Sequence, residues 1–398
     1  MSIYLDNAAS TALDSRVFDA IKPYLQDKYG NPSSFHQAGK LVKDDLDQAR
    51  ASLAQILNCS SDEILFVSGG TEADNLAVLG FARANQDKGK HIITTKIEHH
   101  AVLEAAEHLE NKEGFEVTYL EPDQDGLITE AQVQAAIRPD TILISIMYAN
   151  NEIGVIQPVS EIGNMIQKYR QSKEQAWPVF HTDACQATPY LEIDTDRLHV
   201  DLMSINGSKV YGPKGIGALY VKRGLKLSPI IFGGSQEKGL RAGTENVAGI
   251  IGLVKAVELT QKDRKKESER LTLLRDKLSQ GILKTINKTR LNGHLTKRLP
   301  NNVNISFGDV EGEALLLYLD AAGIYASTGS ACASSSLDPS HVLLAIGLPH
   351  GVAHGSIRFS LGQGTTNQDI DQVIEVLPPL VEKLRSISPI KTDEKFYV

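Results

Sequence analysis

Hydrophobic residues in the first two-thirds of the chain gather into short runs separated by longer amphipathic stretches. The runs at 63–67, 91–95, 116–120, 141–147, 179–182, 201–204 and 217–221 are rich in Ile, Val, Leu, Phe and Tyr and read as strands. Between them, 71–84, 101–112, 129–137 and 160–171 carry apolar residues at helical spacing. Strands that alternate with helices predict an α/β fold, with a mixed, mostly parallel sheet covered by helices on both faces.

The pattern changes near 250. Positions 253–283 form a long, heavily charged helical stretch with Leu271, Leu274 and Leu278 at helical spacing. It reads as a solvated helix linking two domains. Strand-like 302–307 and 357–361, helix-like 312–319 and a last helix after Asn367 predict a second, α+β unit. The resulting division is a large domain over 15–255 and a small one built from 1–14 and 256–398. The tail after Ser388 reads as loose.

At 398 residues the chain is long enough for two cores. A net charge of −8 argues against non-specific nucleic-acid binding, so no direct nucleic-acid partner is expected. Cys59, Cys185 and Cys332 give no even-numbered disulfide framework, which points to a reducing cytoplasm. No apolar run is long enough to span a bilayer, and no secretory signal is read at the N-terminus.

Candidate chemistry lies mostly at the ends of the strand runs. Ser68-Gly69-Gly70-Thr71 joins a strand to a helix. Free N–H groups and glycines there suit a phosphate, although a plain capped turn has the same composition. His181, Asp183 and Cys185 alternate, so an extended chain would place them on one face. They are metal-ligand types, but no close-spaced ligand pair supports a metal site, and none is assigned. The other reading is a buried Asp183 aimed at a cationic nitrogen, with Gln186 as a neutral partner. Lys209 sits in the polar turn Asn206-Gly207-Ser208-Lys209 after a buried strand. A desolvated lysine can form a Schiff base with an aldehyde cofactor. Together, Lys209 and Asp183 are the minimum protein equipment for pyridoxal phosphate.

Of the adjacent pair His99-His100, the first is the candidate for ring stacking or proton transfer. Asn151 follows the 141–147 strand, where open α/β sheets place ligands. Arg358 lies among apolar neighbours and either pairs with an internal carboxylate or holds that of a substrate. Cys332 lies in Ser330-Ala331-Cys332-Ala333-Ser334-Ser335-Ser336, which reads as a loop (about 325–340) and not as core. It is either a small inert filler or a reactive thiol with reach.

These segments together resemble the class I cysteine desulfurases of the NifS/IscS type. The resemblance runs through Tyr4-Leu5-Asp6-Asn7-Ala8-Ala9, Gly30-Asn31-Pro32-Ser33-Ser34, Ser68 to Asn75, Glu98 to Val102, Asn150 to Gly154, Asp183 to Gln186, the Lys209 turn, Arg241-Ala242-Gly243-Thr244 and the cysteine loop. It implies a fold-type-I, class-V aminotransferase-like enzyme that binds pyridoxal 5'-phosphate as a homodimer. Lys209 would hold the cofactor and move the substrate Cα proton. Asp183 would face the ring nitrogen, Gln186 the ring hydroxyl, and His99 would stack on the ring. Gly70, Thr71, Asn206 and Ser208 would hold the phosphate, joined by Thr244 from the partner subunit. Asn151 and Arg358 would bind the carboxylate of L-cysteine. Cys332 would take the sulfur as a persulfide and release alanine.

The resemblance further implies a sulfur-acceptor protein, either an iron–sulfur scaffold or a sulfur carrier for tRNA thiolation. Alternatives on the same cofactor are a cysteine or cystine C–S lyase and a selenocysteine lyase. Three features depart from the common family pattern. Ser208 stands where His is usual, Asn206 stands where Ser is usual, and 171–177 looks like a short surface insertion.

Overall fold

A computed structural model describes residues 2–329, 339–389 and 391–397. The main sheet has seven strands: Ile64–Val67 (β2), His91–Thr95 (β3), Glu116–Leu120 (β4), Thr141–Ser145 (β5), Val179–Asp183 (β6), Leu202–Asn206 (β7) and Gly217–Val221 (β8). The short strand Ile3–Tyr4 (β1) precedes them in the chain. The sheet order is β2-β8-β7-β6-β5-β3-β4, and only β8 runs against its neighbours. Strands β3, β5, β6 and β8 are buried at every position. Helices cover both faces, so the strands show no regular exposed polar alternate.

A second, antiparallel sheet has the order β12-β10-β9: Ser356–Ser360, Asn302–Phe307 and Thr289–Leu291. Strand β1 pairs in parallel with β11, Ile324–Tyr325, far along the sequence. Asp6 bridges to Ser360 of β12. The N-terminal segment is thereby tied to C-terminal strands before it crosses to the main sheet.

Three expectations are corrected. The charged stretch after 250 is one 39-residue helix, Val247–Thr285, and it is not a solvated linker. Ile250, Leu253, Val254 and Val257 are buried near one end, and Leu271, Leu274, Leu278 and Ile282 near the other. Its polar middle is also held, since Gln261 Nε2 donates to the Leu191 carbonyl at 3.0 Å and Arg270 Nη1 to that of Thr365 at 2.6 Å. Charge density hid this because long polar side chains also bond backbone carbonyls. The C-terminal tail is not loose where it is described. Thr392 N–H donates to Asp309 Oδ1 at 2.7 Å, and the Tyr397 hydroxyl donates to Thr392 Oγ1 at 3.1 Å. The first part of the 171–177 stretch is helical, since the helix Val159–Lys173 runs into it, and Trp177 packs on Phe81 with ring centroids 5.7 Å apart.

Candidate active site

The parallel strands end on one edge of the sheet, and the chemistry gathers there. Gly70 and Thr71 follow β2, His99 follows β3, Asn151 follows β5, Asp183 ends β6, and Asn206 and Lys209 follow β7. These residues line one cavity of about 170 Å³ with Gln186 and Arg358. Ala8, Ala9, Asp74, Met147 and Cys185 complete its wall.

Lys209 Nζ donates to the Ala9 carbonyl, which holds the lysine toward the N-terminal segment. Asp183 is 7% exposed, and its Oδ1 accepts the Cys185 N–H at 2.8 Å. Gln186 Nε2 donates to the Ala8 carbonyl at 2.9 Å, leaving its oxygen for another donor. Asn206 Oδ1 accepts from both the N–H and the hydroxyl of Ser208, each at 3.1 Å. Ser208 therefore braces Asn206 and is not among the residues lining the cavity.

Arg358 is buried and makes the internal carboxylate pair that one of its sequence readings expected. Its Nη2 donates to Asp6 Oδ1 at 2.8 Å, and its Nη1 to the Asn151 carbonyl at 3.0 Å. It nonetheless lines the cavity, and its Nε has no hydrogen-bond partner. Thr244 is exposed and does not line this cavity. Cys332 lies outside the described residues.

Two histidines are kept neutral by burial. His99 accepts the Ala101 N–H at its Nδ1 (3.1 Å), capping the helix His100–Glu113. Burial lowers its pKa and the Lys209 charge adds to this, against an opposing pull from Asp183. His181 is fully buried between the hydroxyls of Ser145 at 2.8 Å and Ser204 at 3.1 Å. Burial brings its pKa down to about 4, and both ring nitrogens are already engaged. Among the described residues no cluster of metal-ligand types gathers.

Two carboxyl groups go the other way. Asp74 is buried, and burial first and the Asp183 charge second raise its pKa well above the usual range. Sequence reasoning passed over Asp74 as part of the site. The available signal was its spacing, four residues after Gly70 and hence on the same helix face. Glu98 is fully buried and pushed up to about 8 by that burial. Its Oε1 accepts from the Thr95 hydroxyl at 2.8 Å and the Met147 N–H at 2.9 Å, tying the His99 turn to the end of β5.

Glu98 gives stability a pH dependence of definite sign. The folded protein keeps this proton up to about pH 8, while the unfolded chain releases it near 4.5. Stability therefore falls as pH rises through that window. His181 has the opposite sign, because its unfolded pKa of 6.5 exceeds its folded value, so stability falls as pH drops from 6.5 toward 4. Between pH 6.5 and 8 only the first of these two acts. Glu98→Gln, which keeps an oxygen for both donors, is expected to remove about 1–2 kcal/mol of stability loss across that interval. Urea midpoints of parent and variant at the two pH values check this. Parallel slopes would mean that Glu98 is ionised throughout.

A sheet of this order, with lysine and aspartate at adjacent strand ends, defines a cofactor-dependent transferase fold. The family model for Aminotransferase class-V matches residues 3–373, and the chain belongs to that family, within it to the cysteine desulfurases of the NifS/IscS type. It is 52% identical over 393 residues to "Cysteine desulfurase IscS" of Methanosarcina thermophila, covering 99% of this chain and 95% of that one. A relative of the same name in Dictyoglomus turgidum is also 52% identical, covering 99% and 98%. Among solved structures, a "NifS-like protein" matches with a TM-score of 0.89 at 34% identity, over 96% of this chain and all of that one. "SspA in complex with cysteine" matches with a TM-score of 0.77 at 37% identity, over 90% and 99%.

The family depends on pyridoxal phosphate, and the cavity fits that group. At Gly70, the first residue of the helix after β2, an added Cβ would stand 2.8 Å from Cys185 Sγ, so glycine suits this close approach to the cavity wall. The same cavity holds a buried carboxylate, Asp183, together with Lys209. Burial keeps Cys185 itself a thiol, with its pKa well above the usual value.

Proposed function

We propose that this chain removes sulfur from L-cysteine at the Lys209 cavity, releases L-alanine and carries the sulfur as a persulfide on Cys332. The observation that carries the site assignment is the meeting of Lys209, Asp183, His99 and Arg358 on one cavity. When bound, pyridoxal phosphate supplies an electron sink for the pair left behind when a Cα proton departs.

The residues around it divide the remaining work. Lys209 would anchor the cofactor and carry the Cα proton, its amine turned inward from a half-buried turn. The Asp183 carboxylate would accept a hydrogen bond from the ring nitrogen and hold that nitrogen protonated. His99, neutral with its Nδ1 engaged, keeps one N–H at Nε2 for hydrogen bonding or proton transfer beside the ring. Gly70, Thr71 and Asn206 would receive the phosphate, with Ser208 bracing Asn206. Arg358 and Asn151 would hold the carboxylate of the substrate. Asp6 already neutralises part of the Arg358 charge, so binding would leave no uncompensated buried cation. The Cys332 thiolate would then attack the substrate sulfur, the S–S bond forming as the substrate Cβ–S bond breaks and the electron pair stays with the carbon fragment that is protonated to alanine.

The working form we propose is a homodimer. Tyr29, Phe35 and Phe232 are large apolar side chains left exposed, and Thr244, also exposed, would complete the phosphate site of the partner. Sulfur would pass to an acceptor protein, for iron–sulfur cluster assembly or tRNA thiolation, in the reducing cytoplasm. Cys59 and Cys185 are free thiols, as that compartment favours. No helix among the described residues is long and apolar enough to cross a membrane.

Product analysis tests the activity. Holoenzyme with L-cysteine and a thiol reductant is expected to yield alanine and sulfide in equal amounts. Pyruvate in place of alanine would mean elimination by a C–S lyase and would remove Cys332 from the chemistry.

A further inference from the structure

Glu152 belongs to the Asn150-Asn151-Glu152 turn after β5, yet none of the roles above uses it. It is a carboxylate with 1% exposure. Its backbone is locked, since the N–H donates to Asn150 Oδ1 at 2.9 Å and the carbonyl accepts from Asn302 Nδ2 at 3.2 Å and Asn304 Nδ2 at 3.1 Å. Its side chain lies close to the chain on either side of 330–338, the stretch containing Cys332. On the far flank the Ser340 hydroxyl donates to Glu152 Oε2. On the near flank Gly329 has φ 144°, and a Cβ built there would stand 2.9 Å from the same oxygen. Only a glycine lets the chain pass this close.

The neighbouring residue completes the link. The Asn151 carbonyl accepts from Arg358 Nη1 at 3.0 Å. The Arg358 backbone in turn pairs with Ser327, N–H to carbonyl at 2.6 Å one way and 3.1 Å the other. Substrate-carboxylate groups and both flanks of the cysteine stretch therefore meet at a single rigid turn.

We propose that Glu152 is a positioning residue for sulfur transfer: its carboxylate ties the chain before 330 and after 338 to the turn whose Asn151 holds Arg358. This rests on the function proposed above. A burial of this kind is costly for a carboxylate whose only duty is to fill space, and Glu152 receives its hydroxyl from a residue 188 positions away. Ser340 also caps the helix His341–Ala345, accepting the Leu343 N–H at 3.2 Å, so the fastening and the helix start share one hydroxyl.

The test separates substrate binding from sulfur transfer. Parent, Glu152→Ala, Glu152→Gln, Ser340→Ala and the double alanine variant are loaded with pyridoxal phosphate. The apparent affinity for L-cysteine is read from cofactor absorbance, and persulfide on Cys332 by rapid quench and mass spectrometry in a single turnover. Glu152→Ala and Ser340→Ala are each expected to slow persulfide formation about 100-fold, the effect of misplacing a reacting group by an ångström. Cysteine affinity should stay at the parent value, while the melting temperature falls by only a few degrees, for the lost cap in Ser340→Ala and for the emptied buried site in Glu152→Ala. The double variant should be no slower than the slower single one, because both remove the same link. Glu152→Gln, whose amide oxygen can still accept from Ser340, should recover most of the rate.

In the cofactor-free protein, Glu152→Ala should raise amide hydrogen exchange in peptides covering 326–329 and 340–345 and nowhere else. Persulfide formation at the parent rate in Glu152→Ala would overturn the proposal. So would a loss shared equally by cysteine affinity and thermal stability. A parent protein that forms alanine without any persulfide would instead overturn the function on which the proposal rests.

Discussion

Lys209→Ala is expected to abolish the covalent cofactor band and lower alanine production by about 10²- to 10⁴-fold, the range for a lost proton-transfer group. The lysine is the amine at the cavity that follows directly from the turn closing β7. Its Nζ is directed by the Ala9 carbonyl, and its removal leaves the other wall residues in place. Cofactor should therefore still enter the cavity and be held by non-covalent contacts, bleaching on dialysis. Absorbance spectra before and after dialysis, with alanine quantified from the same samples, check both parts. An unchanged covalent band in Lys209→Ala would transfer the anchoring role to another amine.

Cys332→Ala is expected to give the complementary result. The cavity contains Lys209, Asp183, His99, Asn151 and Arg358, the residues assigned to the cofactor ring and the substrate, so the absorbance change on adding L-cysteine should survive. Persulfide formation and sulfur delivery should be lost, by about 10³-fold or more for the removal of a nucleophile that acts with a base as a unit. Mass spectrometry of the intact chain after one turnover separates the outcomes. A sulfur adduct elsewhere on the variant would point to another thiol as carrier. Of the other two, the buried Cys185 lines the site, and burial raises its pKa well above the usual value, which makes it a poor nucleophile. Burial also pushes the Cys59 pKa up to about 12, with Glu63 adding to it.

The fold was legible where burial is uniform. The run 217–221 matches its strand because a strand covered on both faces is apolar throughout, and 91–95 matches through its β-branched residues. The helices Ser15–Gln26 and Gln37–Leu57 went unassigned, although Val42, Leu46, Ala49 and Leu53 follow a helical period. The thirty-nine-residue helix was misjudged because its charge masks two apolar stripes.

In the candidate site, strand-end residues were visible because polar groups there interrupt apolar runs. Groups supplied from remote sequence were not. Nothing local to Ala9 announces a carbonyl facing Lys209, 200 residues away. The same holds for Glu152 and Ser340. Ser208 was read as a phosphate ligand, whereas its hydroxyl points to Asn206, a difference set by a side-chain rotamer that the sequence does not specify.

The helix Val247–Thr285 bears on how the molecule comes apart. It packs against Ser15–Gln26 and Gln37–Leu57 and against β9, β10 and the helix Asn367–Ile387, with Gly252 close to Ile21 near one end and Gly281 close to Ile374 near the other. Each end is useful only while the rod between them is intact, and helix formation is cooperative along its length. Opening either sheet frays a support of the other. Loss of structure is therefore shared across the chain, and a damaged molecule offers proteases and chaperones the whole polypeptide at once rather than a surviving half.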